Sequence, residues 1–190
     1  MPKIECRNIS KIFGRRPKEV LGQLAEQYDK EEIFSHTGHK VGVCRASLNV
    51  EDGEIFTIIG MPDSGKSTLL RCINLLALPT DGELLIDGED ILKYNRRQQL
   101  QLRRKKIAMV FEHFGLLTHR NVLENVTFGL EINRLNKAQR LDKAKAALSL
   151  LGLKGQENTA VSELDTGDKL RVGLARALAG DWDILLMDDP

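Results

Sequence analysis

Residues 56–76 read FTIIGMPDSGKSTLLRCINLL, and no other stretch narrows the fold as far. A hydrophobic run enters a loop bracketed by Gly60 and Gly65, and Lys66-Ser67-Thr68 opens an apolar-periodic helix. The segment GMPDSGKS at 60–67 satisfies the pattern G-x-x-x-x-G-K-S/T in the place such a loop requires, between a strand and a helix. Backbone N–H groups of residues 63–67 are able to wrap an anion, and the helix start adds its partial positive charge. A strand end and a helix start must therefore meet at one edge of a sheet, which points to an α/β fold.

The rest of the chain reads in the same way. KIECRNIS (3–10), ASLNV (46–50), IFTII (55–59) and KKIAMVF (105–111) are predicted strands, the second and third joined by the turn EDGE. GELLIDGEDI is a short strand and turn. Residues 17–34 read as a helix, with Pro17 in its first turn and Val20, Leu21, Leu24, Ala25 and Tyr28 on one face. Asn136 with Gln139 forms a capping-box pattern before a stripe of Leu141, Ala144, Leu148 and Leu151 that ends at Gly152. LRVGLARALAG predicts a helix with Leu170, Leu174, Ala175 and Leu178 inward, and DILLMDDP an apolar strand ending in two carboxylates. Strands alternating with helices, several of them apolar throughout, imply a mainly parallel sheet covered on both faces.

With 190 residues the chain is long enough for one domain with a real core. A formal net charge of +1 gives no global pull toward nucleic acid or anionic lipid. The basic groups at 96–97 and 103–106 read as a solvated helix end. Cys6, Cys44 and Cys72 lack the short paired spacing of a zinc site or disulfide framework and fit a reducing cytosol. MPKIECRNIS has no apolar core after its charges, so no secretory signal is expected, and no apolar run approaches the ~20 residues of a membrane span.

The loop, RRKKIAMVFEHFGLLTH (103–119), SELDTGDKLRVGLARALA (162–179) and DILLMDDP (183–190) stand in the order and spacing of an ABC transporter ATPase. KIFG, a helical insertion and TGHKVGVCRASLNVEDGEIF make the chain more closely similar to the ATP-binding subunits of glycine betaine/proline importers. The resemblance implies a P-loop NTPase of the ABC type: a mainly parallel sheet, an antiparallel β-subdomain and a helical subdomain. It divides the chain into 1–111 (β-subdomain and phosphate-loop core), 112–168 (helical subdomain) and 169–190 (return helix and acidic strand). The family's C-terminal part, with its switch histidine, is expected to be missing after Pro190. The implied cofactors are ATP and Mg²⁺. Phe13 would stack on adenine, and Gly60, Asp63, Ser64, Gly65, Lys66, Ser67 and Thr68 would hold the phosphates. Lys66 would neutralise the β- and γ-phosphates, Ser67, Glu112 and Asp188 would serve the metal, and Asp189 with Glu112 would serve hydrolysis. The implied partners are a transmembrane permease, a substrate-binding protein and a second ATP-binding subunit, with no nucleic acid and no direct membrane insertion. The implied location is cytoplasmic, on the inner face of the membrane through the permease.

Four positions depart from the family pattern, all around the γ-phosphate. Asp63 stands where the family has a glycine, and places a carboxylate near a polyanion. Glu112 stands for a glutamine and keeps an oxygen ligand while losing the amide donor. The signature loop LSGGQ becomes Leu164-Asp165-Thr166-Gly167-Asp168, and Asp165 would cap the helix end that a phosphate should occupy. Asp189 replaces the catalytic glutamate with an acid one methylene shorter. The alternative reading is accordingly a catalytically impaired or regulatory nucleotide-binding paralogue, or a truncated gene product.

Overall fold

A computed structural model describes residues 1–22, 30–133 and 135–189, which form two compact units, 1–99 and 100–190. In the first unit, β1 (Ile4–Phe13) pairs antiparallel with β2 (Lys40–Val50) and with β3 (Asp81–Ile86), and β3 with the short β4 (Glu89–Asp90). Cys6 and Ile9 are both buried although they stand three positions apart, an odd spacing that would put them on opposite faces of a regular strand. The register shifts between them, at Asn8 with φ 50°, and this bulge returns the next apolar residue to the core face. The turn EDGE forms as expected, Gly53 taking φ 74° and Glu54 N–H donating to the Glu51 carbonyl at 3.2 Å.

The segment 17–37 departs from the single helix expected. Arg16 at φ 52° leads into a 3-10 turn, Pro17–Val20, and α1 occupies Lys30–Thr37. Val20 and Ile33 pack on Ile12 and Val41, with Leu21 at the rim; Leu24, Ala25 and Tyr28 lie outside the described residues. A larger difference concerns IFTII: residues 55–59 form no strand, and Ile55 and Ile59 are 93 % and 91 % exposed. An apolar run becomes a strand only by hydrogen bonding to neighbours, and none of the described strands pairs with it. The helix after the loop does form. α2 (Lys66–Ile73) packs on β1 and β2 and buries Leu69, Cys72 and Ile73.

The second unit begins in the middle of α3 (Arg96–Lys105), whose last turn carries Arg103, Arg104 and Lys105 as a basic helix terminus. β5 (Ile107–Val110) pairs parallel with β6 (Ile184–Met187), the only parallel pairing among the described strands. Expected to be covered on both faces, β6 instead alternates: Ile184 and Leu186 are buried, Leu185 and Met187 exposed.

α4 (Val122–Ile132), α5 (Lys137–Leu150) and α6 (Thr166–Leu178) enclose a core of Val122, Val126, Leu130, Ala144, Leu148, Leu153, Leu164, Val172 and Ala175. Burying one such aliphatic side chain contributes roughly 1.5–3 kcal/mol. Each helix start is capped by a local side chain. Asn136 with Gln139 makes the expected capping box, and Asn121 with Glu124 makes a second one. Gly152, at φ 73°, ends the α5 segment where expected. In α6 the buried face is Val172, Gly173, Ala175 and Ala177; Leu170 and Leu174 are half-buried, and Leu178, expected inward, is exposed because it falls past the face that meets α4 and β5.

Candidate functional site

Gly65 sets the geometry of the loop in the first unit. It takes φ 109°, and a side chain there would run into the carbonyl oxygen of Gly42 on β2. A Cβ at Gly42 would in turn stand 2.8 Å from both the Phe13 ring and the Thr68 methyl group. Two glycines thus let the loop, the first turn of α2 and the end of β1 meet, and Phe13 and Thr68 flank one point. A Cβ at Gly60 would lie 2.9 Å from the Ser64 hydroxyl, so the loop closes tightly on itself.

Asp63 adopts φ 58°, a left-handed conformation that Asp tolerates better than most residues, and the loop keeps its turn with Ser64 N–H donating to the Met61 carbonyl at 3.2 Å. The Lys66 ammonium folds over the loop and donates to the carbonyls of Gly60 (2.9 Å) and Met61 (3.0 Å). Ser67 and Thr68 are half-buried in the first turn of α2. The Phe13 ring is 41 % exposed, with the Lys11 ammonium 5.0 Å from its centroid. Lys11 also donates to the Leu78 carbonyl at 2.7 Å. Two cations invisible to the motif also reach the loop. Lys30 donates to the Ser64 carbonyl at 3.1 Å, and the Lys40 ammonium lies 3.9 Å from an Asp63 carboxylate oxygen.

The remaining candidates lie in the second unit. Val110 stands opposite Met187 in the parallel pair, so Glu112 and the two acids Asp188 and Asp189 leave the same end of the strands. Asp188 is 2 % exposed and its N–H donates to the Val110 carbonyl at 3.0 Å. Asp189 is exposed with φ 44°, and Glu112 is exposed in a turn.

That turn is buttressed by Arg176 of α6, which donates to the carbonyls of Phe114 and Gly115 at 2.7 Å each. Burial holds the Arg176 guanidinium below its ordinary pKa. Asn125 fixes the chain after the turn: fully buried, its side chain accepts from Leu117 N–H at 2.7 Å and donates to the carbonyls of Leu117, Arg120 and Asn121. Sequence reasoning missed both residues, since neither sits in a motif.

The signature segment Leu164–Asp168 opens α6. Leu164 is buried, and the Asp165 carboxylate caps the helix by accepting from Asp168 N–H at 2.7 Å, as expected. Arg171 pairs with the Asp168 carboxylate at 3.0 Å. Ten residues of helix, roughly 15 Å at the usual rise, separate Thr166 from Arg176, so this end of α6 is not brought to Glu112 within the chain. No group of three or more His, Cys, Asp or Glu among the described residues forms a ready metal cluster. The donors expected for Mg²⁺, the Ser67 hydroxyl and the Glu112 and Asp188 carboxylates, are all oxygen, which suits that hard cation. No helix among the described residues is long and apolar enough to cross a membrane.

The family model described as ABC transporter matches residues 43–190. The glycine betaine transport ATP-binding protein OpuAA of Bacillus subtilis is 48 % identical over 187 residues, covering 98 % of this chain and 45 % of that protein. The glycine betaine/proline betaine transport system ATP-binding protein ProV of Escherichia coli is 46 % identical, covering 98 % of this chain and 47 % of that protein. The chain thus spans about half the length of the curated relatives it matches. Among solved structures, a dimeric ATP-binding cassette in a post-hydrolysis state, bound to ADP and phosphate, superposes with a TM-score of 0.80 at 27 % identity, covering 97 % of this chain and 72 % of that one.

Proposed function

The chain belongs to the ABC transporter family, and from that premise we propose that it is the ATP-binding part of an importer for glycine betaine- or proline-type osmoprotectants. The loop Gly60–Ser67 carries this reading: Gly65 is seated against Gly42, and an ammonium hangs over a backbone cradle that opens a helix. In this role Gly60, Asp63 (through its backbone N–H), Ser64, Gly65, Lys66, Ser67 and Thr68 hold the phosphates, and Phe13 stacks on adenine. Lys66 exchanges its two carbonyl partners for phosphate oxygens, a charge-assisted contact stronger than the one it leaves. Mg²⁺, when bound, supplies charge neutralisation to the phosphates. Ser67, Glu112 and Asp188 would hold it, and Asp189 would orient the attacking water. Residues 1–111, 112–168 and 169–190 act as phosphate-loop core, helical subdomain and return segment. The partners are a permease, a substrate-binding protein and a second ATP-binding subunit, with the chain on the cytoplasmic face of the membrane. Titration with a fluorescent ATP analogue tests this: binding should be detectable and fall at least about tenfold on Lys66→Ala. Unchanged affinity in that variant would sink the reading.

One observation favours a second reading, in which the chain binds nucleotide but does not sustain hydrolysis. The Asp165 carboxylate occupies the Asp168 N–H and sets a negative charge at the α6 start, where the family's serine and backbone would meet a γ-phosphate. Phosphate release with saturating MgATP separates the two; steady turnover excludes the second.

A further inference from the structure

The left-handed turn at Asp63 sets a carboxylate at the lip of the loop, its side chain 91 % exposed. Like charges at short range repel, so this acid alone works against any polyanion in the cradle. It does not stand alone. Lys40, the first residue of β2, holds its ammonium 3.9 Å from the Asp63 carboxylate, and Lys30, the first residue of α1, donates to the adjoining Ser64 carbonyl at 3.1 Å. Neither lysine belongs to the loop motif. Lys30 is brought to the loop by α1, which docks through Ile33 on Ile12 and Val41, whereas Lys40 is placed by the pairing of β2 with β1, opposite Phe13. Lys40 thus faces the Asp63 carboxylate itself, while Lys30 and Lys66 bind carbonyls of the same loop, so three ammonium groups and one carboxylate meet the loop. Lys11 is turned away to Leu78 and the Phe13 ring.

We propose that Lys40 is a positioning residue for the phosphate loop: it offsets and holds aside the Asp63 carboxylate, so that the cradle still accepts the polyphosphate of a nucleoside triphosphate. Lys30 anchors the next peptide, keeping Ser64 in register with the helix start. This inference rests on the nucleotide-binding reading above. An exposed pair at this distance contributes modestly, so the effect belongs in the range of a few-fold.

A double-mutant cycle on the full chain, read by titration with a fluorescent ATP analogue, tests it. Lys40→Met is expected to weaken binding about threefold in the native background. In the Asp63→Gly chain the same substitution should change affinity by less than about 1.5-fold, since the charge it answers is gone. Lys40→Arg, which keeps the cation, should bind as the native chain does. No loss in the native background, or an equal loss in both, overturns the inference while nucleotide binding stands. If neither the native nor the Asp63→Gly chain binds, the nucleotide reading itself fails and the inference falls with it. Circular dichroism melts accompany every variant, and Lys40→Gln replaces Lys40→Met if that variant unfolds.

Discussion

Gly65 is where one atom decides whether the loop exists. Its φ of 109° is open to glycine and strained for anything else, and an added Cβ would meet the Gly42 carbonyl, a backbone atom of β2 rather than the end of a flexible side chain. Gly65→Ala should therefore destabilise the first unit by at least about 2 kcal/mol in urea denaturation and abolish nucleotide-analogue binding. The thiols make a second statement at this scale. Burial pushes Cys6 up to about 12 and Cys72 to about 11, whereas Cys44 is exposed. In native protein near pH 8, one thiol should react quickly with a disulfide reagent and two only on unfolding. The pH dependence follows. Above the ordinary thiol value of 9.0 the unfolded chain loses its protons first, so this contribution, complete below that pH, should drain away as pH climbs from 9.0 toward 12. Three fast thiols would show that the β1–α2 packing is wrong.

Among the elements, α6 shows what a cap does for stability and what it costs in recognition. Asp165→Ala removes the acceptor for Asp168 N–H and should cost about 1 kcal/mol, measured by chemical denaturation of the second unit, while Asp165→Ser should cost little, since serine caps as well. That cap was legible in the sequence because it is local: acceptor and donor lie three residues apart, as in the Asn136–Gln139 box. The phosphate loop was legible for the same reason, and the strands β1, β3, β5 and β6 were legible from their apolar patterning, though not their pairing. Contacts between distant segments were not. IFTII has the composition of a strand, yet strand formation is a property of a pair, and Ile55 and Ile59 face solvent without a partner strand among those described. Arg176 on the Phe114 and Gly115 carbonyls spans more than sixty residues, Lys30 reaches the loop only after α1 docks, and Lys40 only after β2 pairs with β1. Asn125 looks like an ordinary polar helix residue until the folded chain shows its side chain filled by four backbone bonds.

At the scale of the whole molecule, the proposed function requires two copies to meet, and under that proposal the signature segment is where the chain's own charges would oppose the meeting. Its two acids are not equivalent. Arg171 answers Asp168 at 3.0 Å, whereas the Asp165 carboxylate is turned into the helix start and takes up the Asp168 N–H. Asp165 should therefore carry most of the defect, and Asp189→Glu alone should restore little, because a repaired water-orienting acid is idle unless the partner's γ-phosphate docks. The test uses chimaeras that carry the C-terminal half of the Bacillus subtilis relative, run on size-exclusion chromatography with and without MgATP. Asp165→Ser should recover a nucleotide-dependent dimer, Thr166→Gly with Asp168→Gln should add a smaller gain, and Asp189→Glu should leave the elution unchanged. The cap is retained in Asp165→Ser, so its gain would reflect the negative charge removed from the helix terminus rather than a change in stability. If the unrepaired chimaera dimerises as well as the repaired one, the Asp165 cap does not exclude the phosphate, and the altered loop is a tolerated variant of a working ATPase.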